Sequence, residues 1–313
     1  MKEEVTMEEF YYPSSDGIHQ IHGVEWKPEK TVVGILQICH GMGEHMGRYQ
    51  EFAKYMANNG YYVVGAEHLG HGKSVNSRDE LGYFHETNGN DYVISDIHQL
   101  HVKTKEKYPQ VPYFMLGHSM GSFLLRQYLG LHGAKVTGAI IMGTGDKSIL
   151  MLQAGKTLCK FLAKTKGWYY RSKFIDGLAV GAYRKKYGPE WLSKDLEHIG
   201  RYKDDPLCGF MFTVNGYYQM FTGMIRMNKQ ERLCKTLKEL PLFFVAGKED
   251  PVGDKGIAVQ NVYNRYKKCG YQDVEIKLYE GDRHEILNET DRDRVYEDIR
   301  LWLEARNKFL SID

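Results

Sequence analysis

The chain reads as an α/β protein built on a mostly parallel sheet with helices on both faces. Three observations carry that reading. Residues 32–39, 61–66 and 113–116 are near-continuous apolar runs, the pattern of parallel strands buried on both faces. Each run gives way to a glycine-containing turn and then to a segment with apolar residues at helical spacing. The alternation stops between Ile149 and Leu240 and resumes after Pro241, so a helical block interrupts the sheet.

Taken in order, residues 8–14 and 18–26 flank Ser-Asp-Gly and read as an antiparallel hairpin at the sheet edge. The strand at 32–39 ends in His40-Gly-Met-Gly, and a helix at 48–59 buries Phe52, Tyr55 and Met56. The strand at 61–66 is followed by a helix near 91–108. Strands at 138–142, 242–246 and 274–279 complete the sheet, with helices at 254–268 and 291–309; the last buries Val295, Ile299, Trp302 and Leu303. The core is expected to comprise residues 1–147 and 241–313, with 148–240 forming a cap at the carboxyl ends of the strands, where such sheets bind ligands.

The chemistry centres on Gly117-His118-Ser119-Met120-Gly121. Tyr113 to Leu116 supply the strand before it, and Phe123, Leu124, Tyr128 and Leu131 give the apolar stripe of a helix after it. A serine between strand and helix sits on a sharp turn that exposes its Oγ, and glycines flank it because strand and helix backbones nearly touch. A serine nucleophile needs a base, and the base needs an acid to fix its tautomer. The loops after the last two strands offer Asp250 and His284, in the chain order this architecture expects. Asp146 is the rival acid, and Glu249 is a neighbour that would point elsewhere. An oxyanion needs two aimed donors, expected from the backbone N–H groups of Met42 and Met120.

The stretches His40-Gly-Met-Gly-Glu-His-Met-Gly-Arg-Tyr49, Glu67-His-Leu-Gly-His-Gly-Lys-Ser74, Gly117-His-Ser-Met-Gly121, Asp205-Pro-Leu207 and Tyr279-Glu-Gly-Asp-Arg-His-Glu285 resemble the monoacylglycerol lipase and lysophospholipase group of α/β-hydrolases. The resemblance runs from about Val32 to Trp302 and is thin across the cap. It implies an α/β-hydrolase fold with an eight-stranded sheet and a helical cap, no cofactor, and cleavage of one acyl ester in a lipid-like substrate. Glu67 stands where the family usually has aspartate, which bears on local loop geometry.

A net charge of +2 gives no global steering toward nucleic acid. No run of about 18 apolar residues is present to span a membrane, and the acidic start lacks signal-peptide character, so a cytoplasmic location is expected. Five scattered cysteines read as free thiols in a reducing compartment. His68 with His71, or His40 with His45, lack a partner at ligand spacing, so no metal site is expected.

The cap carries 17 Lys and Arg against 8 Asp and Glu, while the rest of the chain carries 25 against 32. A basic, aromatic-rich cap offers peripheral contact with an anionic membrane surface; solvation of outer helix faces explains the same lysines equally well. Phe210, Met211, Met220 and Phe221 are candidate substrate-pocket residues, methionine suiting a flexible acyl chain. Two other functions compete. An aminopeptidase of the proline iminopeptidase type needs acidic cap residues to hold an ammonium, and this cap is basic. A non-catalytic binding protein would have lost the serine, acid or histidine, and all three are present. Oligomeric state is left open.

Overall fold

The computed structural model describes residues 5–232, 234 and 237–307. Its strands are β1 (Met7–Pro13), β2 (Gln20–Trp26), β3 (Gly34–Cys39), β4 (Tyr61–Ala66), β5 (Tyr113–His118), β6 (Gly138–Met142), β7 (Leu242–Gly247) and β8 (Val274–Tyr279). They form one eight-stranded sheet in the order β1-β2-β4-β3-β5-β6-β7-β8. β1 pairs antiparallel with β2 and β2 with β4, and every other pairing is parallel.

Alternate residues of the central strands enter two different cores, because successive side chains of a strand point to opposite faces. Ile35, Met115, Ile141 and Phe244 pack on one side under α2 (Gly89–Lys107), α3 (Met120–His132) and α9 (Ile257–Lys268). Leu36, Phe114, Ile140 and Phe243 pack on the other under α1 (Gln50–Asn58) and α10 (Arg292–Ala305). Both faces are buried, which is why the runs are nearly unbroken in sequence. α10 buries Val295, Ile299, Trp302 and Leu303 as its spacing requires.

Several elements differ from the sequence reading. α9 begins at Ile257, not at Asp254, because Asp254, Lys255 and Gly256 all take positive φ (49°, 52° and 86°) and cannot open a right-handed helix. Leu131 on α3 is 57% exposed rather than part of the buried stripe. Tyr55 is half-buried, with its hydroxyl donating to Glu297 Oε2 at 2.6 Å. Phe309 lies outside the described residues.

Between β6 and β7 lie α4 (Ile149–Lys166), α5 (Lys173–Asp176), α6 (Ala182–Tyr187), α7 (Leu196–Asp204) and α8 (Val214–Arg232); among the described residues this block holds no strand. α8 is fastened to α3 by a buried bidentate pair, with Arg126 Nε and Nη2 at 2.7 and 2.8 Å from the Glu231 carboxylate. The expectation of five free thiols is corrected. Cys234, just after α8, forms a disulfide with Cys269, just after α9, while Cys39, Cys159 and Cys208 remain thiols. The two partners are 35 positions apart, so only the packing of two helix ends brings them together, and sequence spacing carried no sign of it.

Candidate active site

Ser119 lies between the end of β5 and the first residue of α3, at φ 53° and ψ −116°. For a residue with a Cβ this backbone costs roughly 1–3 kcal/mol and persists only where packing enforces it. The enforcement is visible. A Cβ on Gly121 would meet the Cys39 carbonyl oxygen at 2.0 Å, and one on Gly117 would meet the Gly121 carbonyl oxygen at 2.5 Å. Ser119 N–H donates to the Met142 carbonyl on β6 at 3.0 Å.

His284 and Asp250 come from the loops after β8 and β7. Those loops are joined by Glu249 N–H donating to the Asp282 carbonyl at 2.8 Å. His284 Nδ1 lies 3.0 Å from both carboxylate oxygens of Asp250, which is fully buried. Nδ1 therefore carries a proton directed at Asp250. Asp146 instead meets Arg265 Nη2 at 2.7 Å, and Glu249 is an exposed partner of Lys255. From the helical stretch between β6 and β7, Trp191 stacks on the His284 imidazole with ring centroids 5.0 Å apart.

The turn after β3 is braced by the histidines that in sequence invite a metal. His40 Nδ1 donates to the Gly41 carbonyl at 2.8 Å, and its Nε2 accepts from His68 N–H at 3.0 Å. His71 Nδ1 donates to the Leu69 carbonyl at 3.1 Å, so its Nε2 accepts from Gly43 N–H at 3.2 Å. Burial pushes His71 down to about 3, which keeps it neutral and able to accept. With Gly41 and Gly43 fixed, the Met42 peptide between them is fixed too, and among the described residues no protein acceptor takes its N–H. Met120 is the first residue of α3, and its N–H has no partner within the helix. Glu67 fits because Gly72 has no side chain: a Cβ there would meet Glu67 Oε2 at 2.1 Å. Its carboxylate lies 2.9 Å from His22 Nδ1 and accepts from Lys73 N–H at 2.5 Å.

A cavity of about 420 Å³ joins these parts, lined by Met42, Ser119, Met120 and His284 at its polar end. Phe210, Met220 and Phe221 line it as expected, together with Met151, Leu158 and Ile175. Met211 does not. Met211 is half-buried, and its carbonyl accepts from Arg171.

A buried charge network below the site was not anticipated. Arg48 donates to Glu44 Oε2 at 2.7 Å and to both oxygens of Glu285 at 2.8 and 2.6 Å. Glu285 also meets His198 Nε2 of α7 at 2.9 Å, which ties the cap to the loop carrying His284. Glu44, Arg48 and Glu285 all lie inside the motif stretches, and that was the one signal available. Among the described residues one trio, His45, Asp205 and Cys208, brings metal-type donor atoms within 4.8 Å of one another. His45 Nε2 is already taken by Asp205 Oδ2 at 2.8 Å, so the trio works as a link between the cap and the turn after β3.

An eight-stranded sheet with a serine on a strained strand-to-helix turn, beside a histidine–aspartate pair, defines an α/β-hydrolase. Over residues 30–291 the chain matches the family model Hydrolase_4, described as serine aminopeptidase, S33, and it belongs to that family. It is similar to a monoglyceride lipase homolog of Monkeypox virus, 27% identical over 288 residues that cover 90% of this chain and 94% of the relative. It is also similar to the monoglyceride lipase of Homo sapiens, 26% identical over 286 residues covering 90% and 86%. A solved structure of a highly thermostable carboxyl esterase from Bacillus coagulans in complex with glycerol matches with a TM-score of 0.87 and 29% identity, covering 96% of this chain and 98% of that one.

Proposed function

We propose that this chain is a carboxylic ester hydrolase that cleaves the single acyl ester of a monoacylglycerol or lysophospholipid. The observation that carries the reading is the cavity, predominantly apolar along its length and ending on Ser119 and His284. Its volume of about 420 Å³ lies within the usual span for small-ligand sites, roughly 300–1,000 Å³. The similarity to monoglyceride lipases and to a carboxyl esterase supports the same substrate class.

In this reading His284 Nε2 takes the Ser119 proton as Oγ attacks the ester carbonyl. Asp250 holds the imidazole in the required tautomer and stabilises its charged form. The N–H groups of Met42 and Met120 receive the oxyanion. His284 then returns the proton to the departing alcohol oxygen, leaving an acyl-serine, and the same steps with water release the fatty acid. Residues 148–240 act as a lid over a core of residues 1–147 and 241–313.

An aminopeptidase needs a carboxylate free to hold the substrate's ammonium. The carboxylates lining the cavity are Glu44 and Glu285, and both are buried against Arg48. The lid rim is apolar instead: Met151 and Leu178 line the cavity yet are 66% and 68% exposed. Leu150 and Phe174 are exposed near them in sequence, and Lys160 and Lys164 are exposed along α4. We take this face to rest on anionic lipid, which makes the enzyme peripheral to a membrane; no helix among the described residues is long and apolar enough to cross one. Rates on monoacylglycerols, lysophospholipids, p-nitrophenyl esters of rising chain length and aminoacyl-naphthylamides test the assignment. Turnover of the single-chain esters is expected; turnover confined to aminoacyl amides would overturn it.

A further inference from the structure

His118, the residue before the nucleophile, is 3% exposed and has acceptors at both ring nitrogens. Nδ1 lies 3.2 Å from Glu44 Oε1 and 3.1 Å from the Tyr49 hydroxyl, and Nε2 lies 3.2 Å from the backbone carbonyl of His284. Tyr49 has committed its only proton to Glu44 Oε1 at 2.8 Å, so toward His118 its oxygen can only accept. A neutral imidazole has one N–H and would leave a lone pair facing either the carboxylate or the carbonyl. Both nitrogens must therefore be donors, and the ring is an imidazolium.

We propose that His118 is a positioning residue whose two ring N–H groups tie the oxyanion turn to the catalytic base, one through the Glu44 carboxylate and one through the His284 carbonyl. Glu44 is the other half of the device, since its Oε1 also accepts Gly41 N–H at 2.5 Å, just before Met42. The inference rests on the triad reading above.

The groups facing His118 come from every side. The turn after β3 contributes Glu44 and Tyr49, with Arg48 behind them. The loop after β8 contributes His284, whose ring centroid is 4.8 Å away, and Glu285 beyond it; Asp250 stands behind His284. Gly143, just after β6, lies against the ring and does not titrate. Burial disfavours a charged His118, but Glu44, with Glu285 and the His284 carbonyl, holds it above the ordinary histidine value. Burial likewise opposes ionised Glu44, but His118 and Arg48 hold it well below the usual carboxylate range. Because His118 is balanced by Glu44, it can sit beside His284 without adding a net charge against the proton that base must accept.

When His118 loses its proton at alkaline pH, one of its two ties is lost. The rate should fall with kcat while KM stays nearly constant, because the residue aims the machinery and does not hold the substrate. A misplacement of about 1 Å in a reacting group costs up to about 10²-fold.

The test pairs ring-nitrogen NMR with kinetics. In the ¹⁵N-histidine-labelled parent near neutral pH, one buried histidine should show both nitrogens protonated. That signal should vanish in His118→Gln, persist in His284→Ala, and change to a neutral ring in Glu44→Gln. On a water-soluble short ester, kcat should rank parent, then His118→Gln, then His118→Leu, since glutamine can restore one donor. The alkaline fall in kcat should be absent from both variants. A neutral His118 ring in the folded parent would overturn the proposal, as would an unchanged alkaline fall in a folded His118→Gln enzyme. A parent that cleaves no ester would defeat the esterase reading alone, because the NMR result decides the state of His118 without turnover.

Discussion

At Ser119 the main chain is held at φ 53° by neighbours on three segments, and the residues that hold it explain what sequence could reveal. Gly117 was legible because its constraint is local, a Cβ there striking the Gly121 carbonyl four residues on, and Gly121 because a strand-to-helix elbow presses the start of its helix against a neighbouring strand, here at Cys39. Asp250 and His284 were legible as positions because each follows a strand of the sheet in the expected order. Met211 was not, since which side of an extended segment meets the substrate depends on the packing of that segment. Nor was the Arg48–Glu285 contact, whose partners lie 237 positions apart. Asp250→Asn should lower kcat on a soluble ester by on the order of 10⁴, because an amide stabilises the wrong imidazole tautomer. Asp146→Asn, which disturbs only the contact with Arg265, should leave kcat close to the parent's; the reverse result would reassign the acid.

Among the elements, α2 and α3 are joined by a histidine stack that a one-dimensional reading does not expose. His98 and His101 lie three positions apart on α2, but His132 reaches them only from the far end of α3. His98 and His132 stack with centroids 3.9 Å apart, and His98 and His101 are 5.8 Å apart. Burial pushes His101 down to about 4, and the charges of His98 and Lys135 add to it; His98 and His132 are lowered too. An unfolded chain binds these protons near the ordinary histidine value of about 6.5. The stability tied to neutral rings is thus fully present above about 6.5 and declines as pH falls, down to about 4, where folded His101 itself protonates. Urea midpoints should drop over that range, and His101→Gln should flatten part of the drop. An identical acid profile for the variant would remove the stack from the account. The strands and long helices were legible because their periodicity is set by burial. The α9 start was missed because two residues with side chains, Asp254 and Lys255, occupy the left-handed region normally left to glycine.

At the scale of the whole molecule, the helical stretch between β6 and β7 showed in the sequence as a change of rhythm, whereas its fastenings did not. The Cys234–Cys269 disulfide, the Arg126–Glu231 pair and the Glu285–His198 contact all join segments distant in sequence. The Cys234–Cys269 pair also removes the cysteine argument for a reducing compartment. Of the four lysines spaced along α4, Lys156 lies over the Tyr218 ring at 4.8 Å and the exposed Lys166 over Tyr170 at 4.4 Å, while Lys160 and Lys164 are exposed and lie over no ring among the described residues. Replacing Lys160 and Lys164 with glutamine should therefore slow hydrolysis in anionic vesicles and leave short soluble esters unaffected. Added salt should mimic the change, since surface attraction is screened over roughly 8–10 Å near physiological ionic strength. Equal vesicle rates at low salt would reduce these lysines to a solvated face. That Ser119 opens the acyl ester of a single-chain lipid is tested by glycerol release from a monoacylglycerol by the parent and by Ser119→Ala, with a serine-directed fluorophosphonate mapped by mass. Release by the parent, a loss on the order of 10⁶-fold in the variant, and labelling at Ser119 that the substitution abolishes are expected. A folded Ser119→Ala enzyme that releases glycerol near the parental rate would contradict that role of Ser119.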